Sequence, residues 1–473
     1  MIGQSDKSQS RRLPVFLVGC AAVACCLVLL VLLGHGPGRQ VVESIDRAAV
    51  DVMFRFRGPA ETTGRVVIVT IDEKSLAALG QWPWPRDLTG QLLRRIAADK
   101  PRVIGMDVLF AEPDRTDPKR GPSLVRDLLK DKPQVEPAEL DNDGRLAAAI
   151  AAAPVVLGYG FQFENDGLRD DNVQPCPRFY VPAAELPAAH AWACQAYRPI
   201  CALPVLSEQA RSEGHGNLLP DGSGICRAVP LLIGYADVFY PALSFEMVRE
   251  GLGGPAALVS SRRSVVGLRL GERLIPTDSR GHFYLNFRGP EGSFPRVSAV
   301  AVLQGEVAAG TFTDRFVLVG ATAVGIGDLV ATPMSAACPG VEIHATAVDN
   351  MLAGDCMEFD AAANLGYTFM TVLLAGLALA ALLAWMRPIP GTAIAILLLV
   401  GMVVGNYRFL FLNHRIVGLT FPLFSLFLVL AAITLYRGAK NHLPMGSGAT
   451  GAETPPSAGG GRGTTGHEEK TPS

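Results

Sequence analysis

Four apolar segments, placed unevenly along the chain, limit what it can fold into more than any other feature. Leu13 to Leu33 is an uncharged run of 21 residues preceded by Lys7, Arg11 and Arg12. A run of that length crosses a hydrocarbon core of about 30 Å, and the basic flank orients its start toward the cytoplasm. Three further runs lie near the other end, at 365–385, 389–406 and 416–436. A cleaved signal peptide is the rival reading of the first run, but Gly34-His35-Gly36-Pro37-Gly38 makes a poor cleavage site. Leu17-Val18-Gly19-Cys20 has the form of a lipoprotein cleavage box, yet mostly apolar residues follow its cysteine as far as Leu33. An uncleaved anchor is the preferred reading. Four spans then put residues 1–12 and 437–473 in the cytoplasm and residues 34 to about 364 outside. Arg408 and Arg415 fall on the outer side, against the usual bias. No run carries a charge at its centre, so nothing suggests an ion path or proton relay.

The composition agrees with a membrane protein. Mean hydropathy is +0.27, and only 18% of residues are charged. Lys plus Arg number 42 against 44 Asp plus Glu, which leaves no basic footprint for nucleic acid. The lipid bilayer is therefore the first expected partner.

Between the first two spans the chain reads as one α/β domain over 39–360. Arg39 to Arg57 has Val41, Ile45, Ala48, Val52 and Phe56 at helical spacing, widened by Val42, Ala49 and Met53. Glu43, Arg47, Asp51 and Arg55 lie largely opposite. This predicts an amphipathic helix running out of the membrane to Gly58-Pro59. It packs on its own domain, or acts as a rigid strut that carries motion to the first span. Arg65 to Ile71 is a β-branched run that ends in Asp72-Glu73. A helix over about 86–98 and a second run, Val103 to Phe110, make a βαβ unit with parallel strands. Residues 114–141 read as a surface loop, 144–153 as a short helix and 155–161 as a third strand. Residues 164–213 form an irregular insert. Order resumes at Gly214, with strands near 227–231, 265–270, 283–287 and 315–320, and helices over 240–251 and from Pro339.

Six cysteines fall in the expected outside region: Cys176, Cys194, Cys201, Cys226, Cys338 and Cys356. In an oxidising compartment an even count predicts disulfides, up to three here, with the pairing undetermined. There is no C-x-x-C pair, no haem-attachment motif and no zinc-like His/Cys spacing, so no metal or cofactor is expected. His344, two residues from Glu342 on a helix, does not face it and has no second His four residues on. A structural hydrogen bond is expected there. No nucleophile elbow, phosphate loop or Ser/His/Asp set stands at meaningful spacing.

Acids that end parallel strands converge on the crevice where open α/β sheets bind ligands. Asp72 and Asp107 are the candidates, with Asp328 and Thr332 joining from the loop after the 315–320 strand and Arg227 supplying the opposite charge. Together they suit a small cationic or hydroxylated ligand. The alternative is that the acids cap helices and accept loop amides. Trp82 and Trp84, held by Pro83 and Pro85, could stack on a ligand, but are expected instead to plug the end of a core or an interface.

Several motifs in order resemble the type-2 CHASE domain, an extracytoplasmic sensory domain of bacterial receptors. They are the R-x-R-G-P close of the first helix (Arg55 to Pro59), RVVIVTIDEKS, WPWPR, VIGMDVLF and GNLLPDGSG with Arg227. IPTDSRGHFYLNFRGP, RFVLVGATAVGIGDLVATP and PGVEIHATAVDNML complete the set. The insert 164–213 is the part least covered. The resemblance implies a periplasmic sensor with a mixed or parallel sheet, three spans after the domain and a homodimeric receptor in the inner membrane. Relatives carry a cyclase or kinase output after the last span. Here a Gly/Ser/Thr/Pro-rich tail, expected to be disordered, follows instead. Three functions stay open: a sensor that signals to a separate cytoplasmic cyclase or kinase; an envelope scaffold that binds a periplasmic protein; and, least favoured, a periplasmic enzyme. The chain itself is expected not to be an enzyme.

Overall fold

The computed structural model describes residues 2–33, 37–117, 141–167, 179–180, 194–261 and 264–442. Most of the predicted 114–141 loop, Cys176, most of the first half of the 164–213 insert and the tail beyond 442 lie outside them. Among the described residues, four helices are long and apolar enough to cross a membrane: Arg12–Leu33, Ala363–Trp385, Pro388–Asn413 and Thr420–Lys440. The third runs past the predicted 406 through a wide turn at Asn406–Leu410 and a tighter one at Phe411–Asn413. The first, second and fourth pack together around Val23, Leu379, Leu426 and Val429. Gly19 makes this approach possible, since a Cβ there would sit 2.5 Å from that of Ala380. Small residues at helix crossings serve this purpose where both solvent and partner are apolar.

A seven-stranded sheet forms the centre of the domain. In chain order we number its strands β1 (Val66–Ile71), β2 (Val103–Asp107), β3 (Val155–Gln162), β4 (Arg198–Ile200), β5 (Ser212–His215), β6 (Arg296–Ser298) and β7 (Phe316–Ala321). Six run parallel in the order β6-β1-β7-β2-β3-β5, and β4 pairs antiparallel with the end of β3. All six residues of β1 are buried, which is why the run is apolar without alternation: helices cover both faces. On one face Val67, Val69 and Ile71 meet Leu92, Leu93, Ile96, Leu146 and Ile150. On the other, Val66, Ile68, Phe316 and Leu318 meet Phe245, Val248, Ile343 and Val348.

Several expectations change. β1 and β2 are parallel but not neighbours, because β7 lies between them with full registers to each. The insert is not irregular to its end: Ser212–His215 is a fully buried strand of the main sheet. No disulfide joins any two described cysteines. Cys226, Cys338 and Cys356 sit among apolar neighbours, and burial pushes each thiol up to about 12. These side chains serve as small apolar core residues.

The largest change concerns the first helix of the domain, Pro37–Arg57. Val50, Met53 and Phe54 are its buried apolar residues, whereas Val41, Ile45, Val52 and Phe56 are exposed. The helix does pack on its domain, through Val50, Met53 and Phe54, but the main line of the predicted stripe, Val41, Ile45, Val52 and Phe56, faces outward.

Candidate functional site

The carboxyl ends of β2, β3, β5 and β7 open into a cleft of about 1180 Å³, where an open parallel sheet presents its ligand crevice. Asp107, the last residue of β2, sits at its floor with 23% of its side chain exposed. Asp328 reaches the cleft from the loop after β7, and Gly216 and Asn217 line it just after β5. The helix Gly340–Ala353 brings His344 in from behind. That approach depends on Gly320 in β7, where a Cβ would lie 2.7 Å from the Val341 side chain. His344 is fully buried, its Nε2 lies 3.2 Å from the Gly216 carbonyl oxygen and 3.9 Å from Asp107 Oδ1, and its Nδ1 has no hydrogen-bond partner. Trp82 and Trp84 form one wall, edge to face at 5.2 Å. Trp84 is buried and donates its indole N–H to Gly80 O at 3.0 Å, so it is both core plug and wall.

Burial raises the Asp107 carboxyl above the usual range; nearby His344 works against this and Asp328 adds to it. Among the described residues no hydrogen bond to the carboxyl offsets this burial. It is ready to accept a bond from a group that enters the cleft. Deeper, at the end of β5, His215 is fully buried with neither ring nitrogen hydrogen-bonded, and burial, reinforced by His344, lowers it to about 3. It is a neutral imidazole under all ordinary conditions. At the other end of β5, Ser212 Oγ donates to Glu246 Oε2 at 2.6 Å and Arg249 Nε donates to the same oxygen at 2.8 Å. Among the described residues, no group of three His, Cys, Asp or Glu side chains is placed to hold a metal ion.

The five sequence candidates separate. Asp107 and Asp328 share the cleft; Asp72, Arg227 and Thr332 do not line it. Asp72 caps the helix Glu73–Leu79: its Oδ1 accepts from Ser75 N at 2.9 Å, Ser75 Oγ at 2.7 Å and Ser298 Oγ at 2.8 Å. Burial alone would raise its pKa, but these bonds outweigh it and hold the carboxyl low. Thr332 is buried and its Oγ1 accepts from Ser335 N at 2.9 Å, closing a turn. Asp114 is a structural acceptor too, for Arg86 N at 2.8 Å and Thr116 N at 2.8 Å.

Arg227 holds a different position. Its Nε and a terminal nitrogen donate to Asp51 on helix Pro37–Arg57 at 2.9 and 2.7 Å, and it also pairs with Asp221. The segment 216–227 thus begins at the cleft and ends gripping helix Pro37–Arg57, which follows the first apolar helix. Arg55 adds a bond to Pro333 O at 3.0 Å, and Arg57 bonds Asn286 and Phe287.

His344 makes the expected structural hydrogen bond, to Gly216 O, but its place in the lining of the cleft was not expected from the sequence. The signal for it was position: the fifth residue of a helix that starts at Pro339-Gly340, directly after the loop leaving a buried strand. Glu342 does face away from it, accepting from Gly292 N and Ser293 N at 2.9 and 2.8 Å.

Comparison with known proteins gives one finding. Residues 23–387 match the family described as the CHASE2 domain, from within the first apolar helix to the turn after the second. No curated protein and no solved structure matches the chain. With most of its length and its motifs covered, the chain belongs to the CHASE2 domain family of extracellular sensory domains.

Proposed function

We propose that this protein is a sensor of the bacterial inner membrane whose domain lies in the periplasm. In this reading the cleft above Asp107 is its ligand site, and the signal leaves through helix Pro37–Arg57 to a separate cytoplasmic effector of cyclase or kinase type. The observation that carries the reading is the segment 216–227. Gly216, Asn217, Leu218 and Pro220 line the cleft, and seven residues beyond Pro220 the same segment clamps Asp51 through Arg227. A ligand that binds one arrangement of this segment better than another shifts the helix with it. Asp107 and Asp328 favour a small ligand with an ammonium or hydroxyl donor. No catalytic role is assigned to the chain.

The test uses the full chain in lipid nanodiscs with putrescine, choline and glycerol as probes. A probe that binds should raise the melting temperature, and Asp107→Asn and Asp328→Asn should abolish that rise. It should also change hydrogen exchange over 221–227 and 46–57. Stabilisation that survives both substitutions removes the cleft from the proposal, and stabilisation without any change over 46–57 removes the relay.

A further inference from the structure

We infer that helix Pro37–Arg57 lies in the interfacial layer of the bilayer, with Val41, Ile45, Ala48, Val52 and Phe56 as a lipid-docking face. The inference rests on reading the four apolar helices as membrane spans. The exposures are 61% for Val41, 51% for Ile45, 60% for Val52 and 78% for Phe56. They recur at i, i+4, i+11 and i+15, with Ala48, also exposed, filling i+7. Side chains so spaced form one continuous stripe, and an exposed apolar stripe marks a surface made for something other than water.

The contacts of the helix show what covers it. Near its start, Val42 packs against the cluster of Cys26 and Leu30 from the first span, Val372 from the second and Phe421, at the start of the fourth. One turn on, Asp46 Oδ1 accepts from Leu419 N at 2.8 Å, Thr420 N at 2.9 Å and Thr420 Oγ1 at 2.7 Å, and so caps the fourth span. Near its other end, Phe54 meets Phe411 at 4.9 Å and Phe56 meets Tyr407 at 5.2 Å. Phe411 and Tyr407 belong to the last turns of the third span.

A helix of 21 residues is about 30 Å long. If it stood upright, one end alone would meet the spans. Here both ends touch them, within two turns of their domain-side ends, so the helix lies across them. Its remaining two sides are then fixed. The domain holds Asp51 through Arg227 and Phe54 through Phe287. The stripe occupies the open flank and meets the third span where Phe56 packs on Tyr407, a span on which Val403, Val404 and Phe409 are exposed. That surface is lipid-facing by the span reading, and Phe56 stands against it. Ser44 and Arg55 border the stripe on the polar side, as on helices that rest in the headgroup region. A paired upright helix from a second copy would need a different pose.

The experiment adds a tryptophan to the full chain in phosphatidylcholine/phosphatidylglycerol nanodiscs, by Phe56→Trp or Val52→Trp, with Ser44→Trp as control. The added emission is the difference from the unmodified protein. With lipid carrying a doxyl label at carbon 5, the emission added by Phe56→Trp and Val52→Trp should fall at least two-fold and resist aqueous acrylamide. Ser44→Trp should show the reverse. Native Trp385, exposed at the end of the second span, reports insertion itself, so its failure to be quenched by the doxyl lipid would refute the span reading instead. If Trp385 is quenched but the added residues respond to acrylamide alone, the stripe faces water and the inference is wrong. If they respond to neither quencher, protein covers the stripe, a second copy being the simplest cover, and the inference is equally wrong.

Discussion

Arg227→Met tests the clamp between the domain and its membrane-side helix. The Arg227 and Asp51 side chains are 10% and 6% exposed and meet through two charge-assisted bonds of 2.9 and 2.7 Å. Removing one member of such a pair leaves a buried carboxylate without its donor, which costs about 3–5 kcal/mol. Asp221 is a second, less buried partner of the same guanidinium, and Arg47 stays 3.6 Å from Asp221. The lower end of the range, ~3 kcal/mol, is therefore expected. At the low end of about 2–4 °C per kcal/mol for large domains, that is a fall of roughly 6 °C, read by scanning fluorimetry of the detergent-solubilised full chain. The double variant Arg227→Met/Asp51→Leu should regain most of the loss, because exchanging a whole buried pair for apolar groups is close to neutral. A shift below about 1 °C for the single variant, or a double variant no better than the single, would refute the assignment of this pair as a clamp.

Asp72→Ala should lower stability by about 1–2 kcal/mol, the usual cost of losing an N-cap, while leaving probe binding at the cleft unchanged; weakened binding with intact folding would return Asp72 to the site. Asp107→Asn should stabilise the protein at neutral pH. A carboxyl with a raised folded pKa contributes most below its unfolded value of about 3.9 and loses that contribution as pH rises through the folded value. The amide lacks this loss, so the two melting curves should coincide near pH 3 and diverge toward pH 7; parallel curves would contradict the raised pKa. Gly320→Ala should cost about 1–3 kcal/mol by overpacking against Val341. Val341→Ala should relieve it in the double variant, and a Gly320→Ala protein as stable as its parent would show that the helix carrying His344 is not so closely seated.

The parallel strands were legible because burial on both faces leaves its mark directly in the residues. VVIVTI, VIGMD and FVLVGA show no alternation, and each is a strand of the main sheet. Strand order was not legible, since nothing local in β1 or β2 records that β7 enters between them. β5 was missed for the opposite reason. Its residues, Ser212-Glu213-Gly214-His215, are polar but wholly buried, and the Glu246–Arg249 pair that receives Ser212 lies more than thirty positions away. Among the site residues, Asp107 and Asp72 looked alike in sequence, each an acid at the end of a buried run. What separates them is the pair of hydroxyls that takes up the Asp72 carboxylate, Ser75 from its own helix and Ser298 from β6; among the described residues no counterpart bonds to Asp107.

Helix Pro37–Arg57 shows a different limit. Periodicity established that it has an apolar face, and the rule that such faces turn toward the core would assign that face to the domain. The rule assumes water on the other side. Beside a bilayer the inference fails, because an apolar stripe is as stable against lipid as against protein. What selects the inward face here is instead the polar set: Asp46 reaches the amides at the start of the fourth span and Asp51 reaches Arg227. Each carboxylate has a fixed donor, and neither could be satisfied from the opposite side. With those two anchored, Val41, Ile45, Val52 and Phe56 have only the open flank left to them. In this helix the charged residues decide its orientation, and its apolar residues identify what lies beside it.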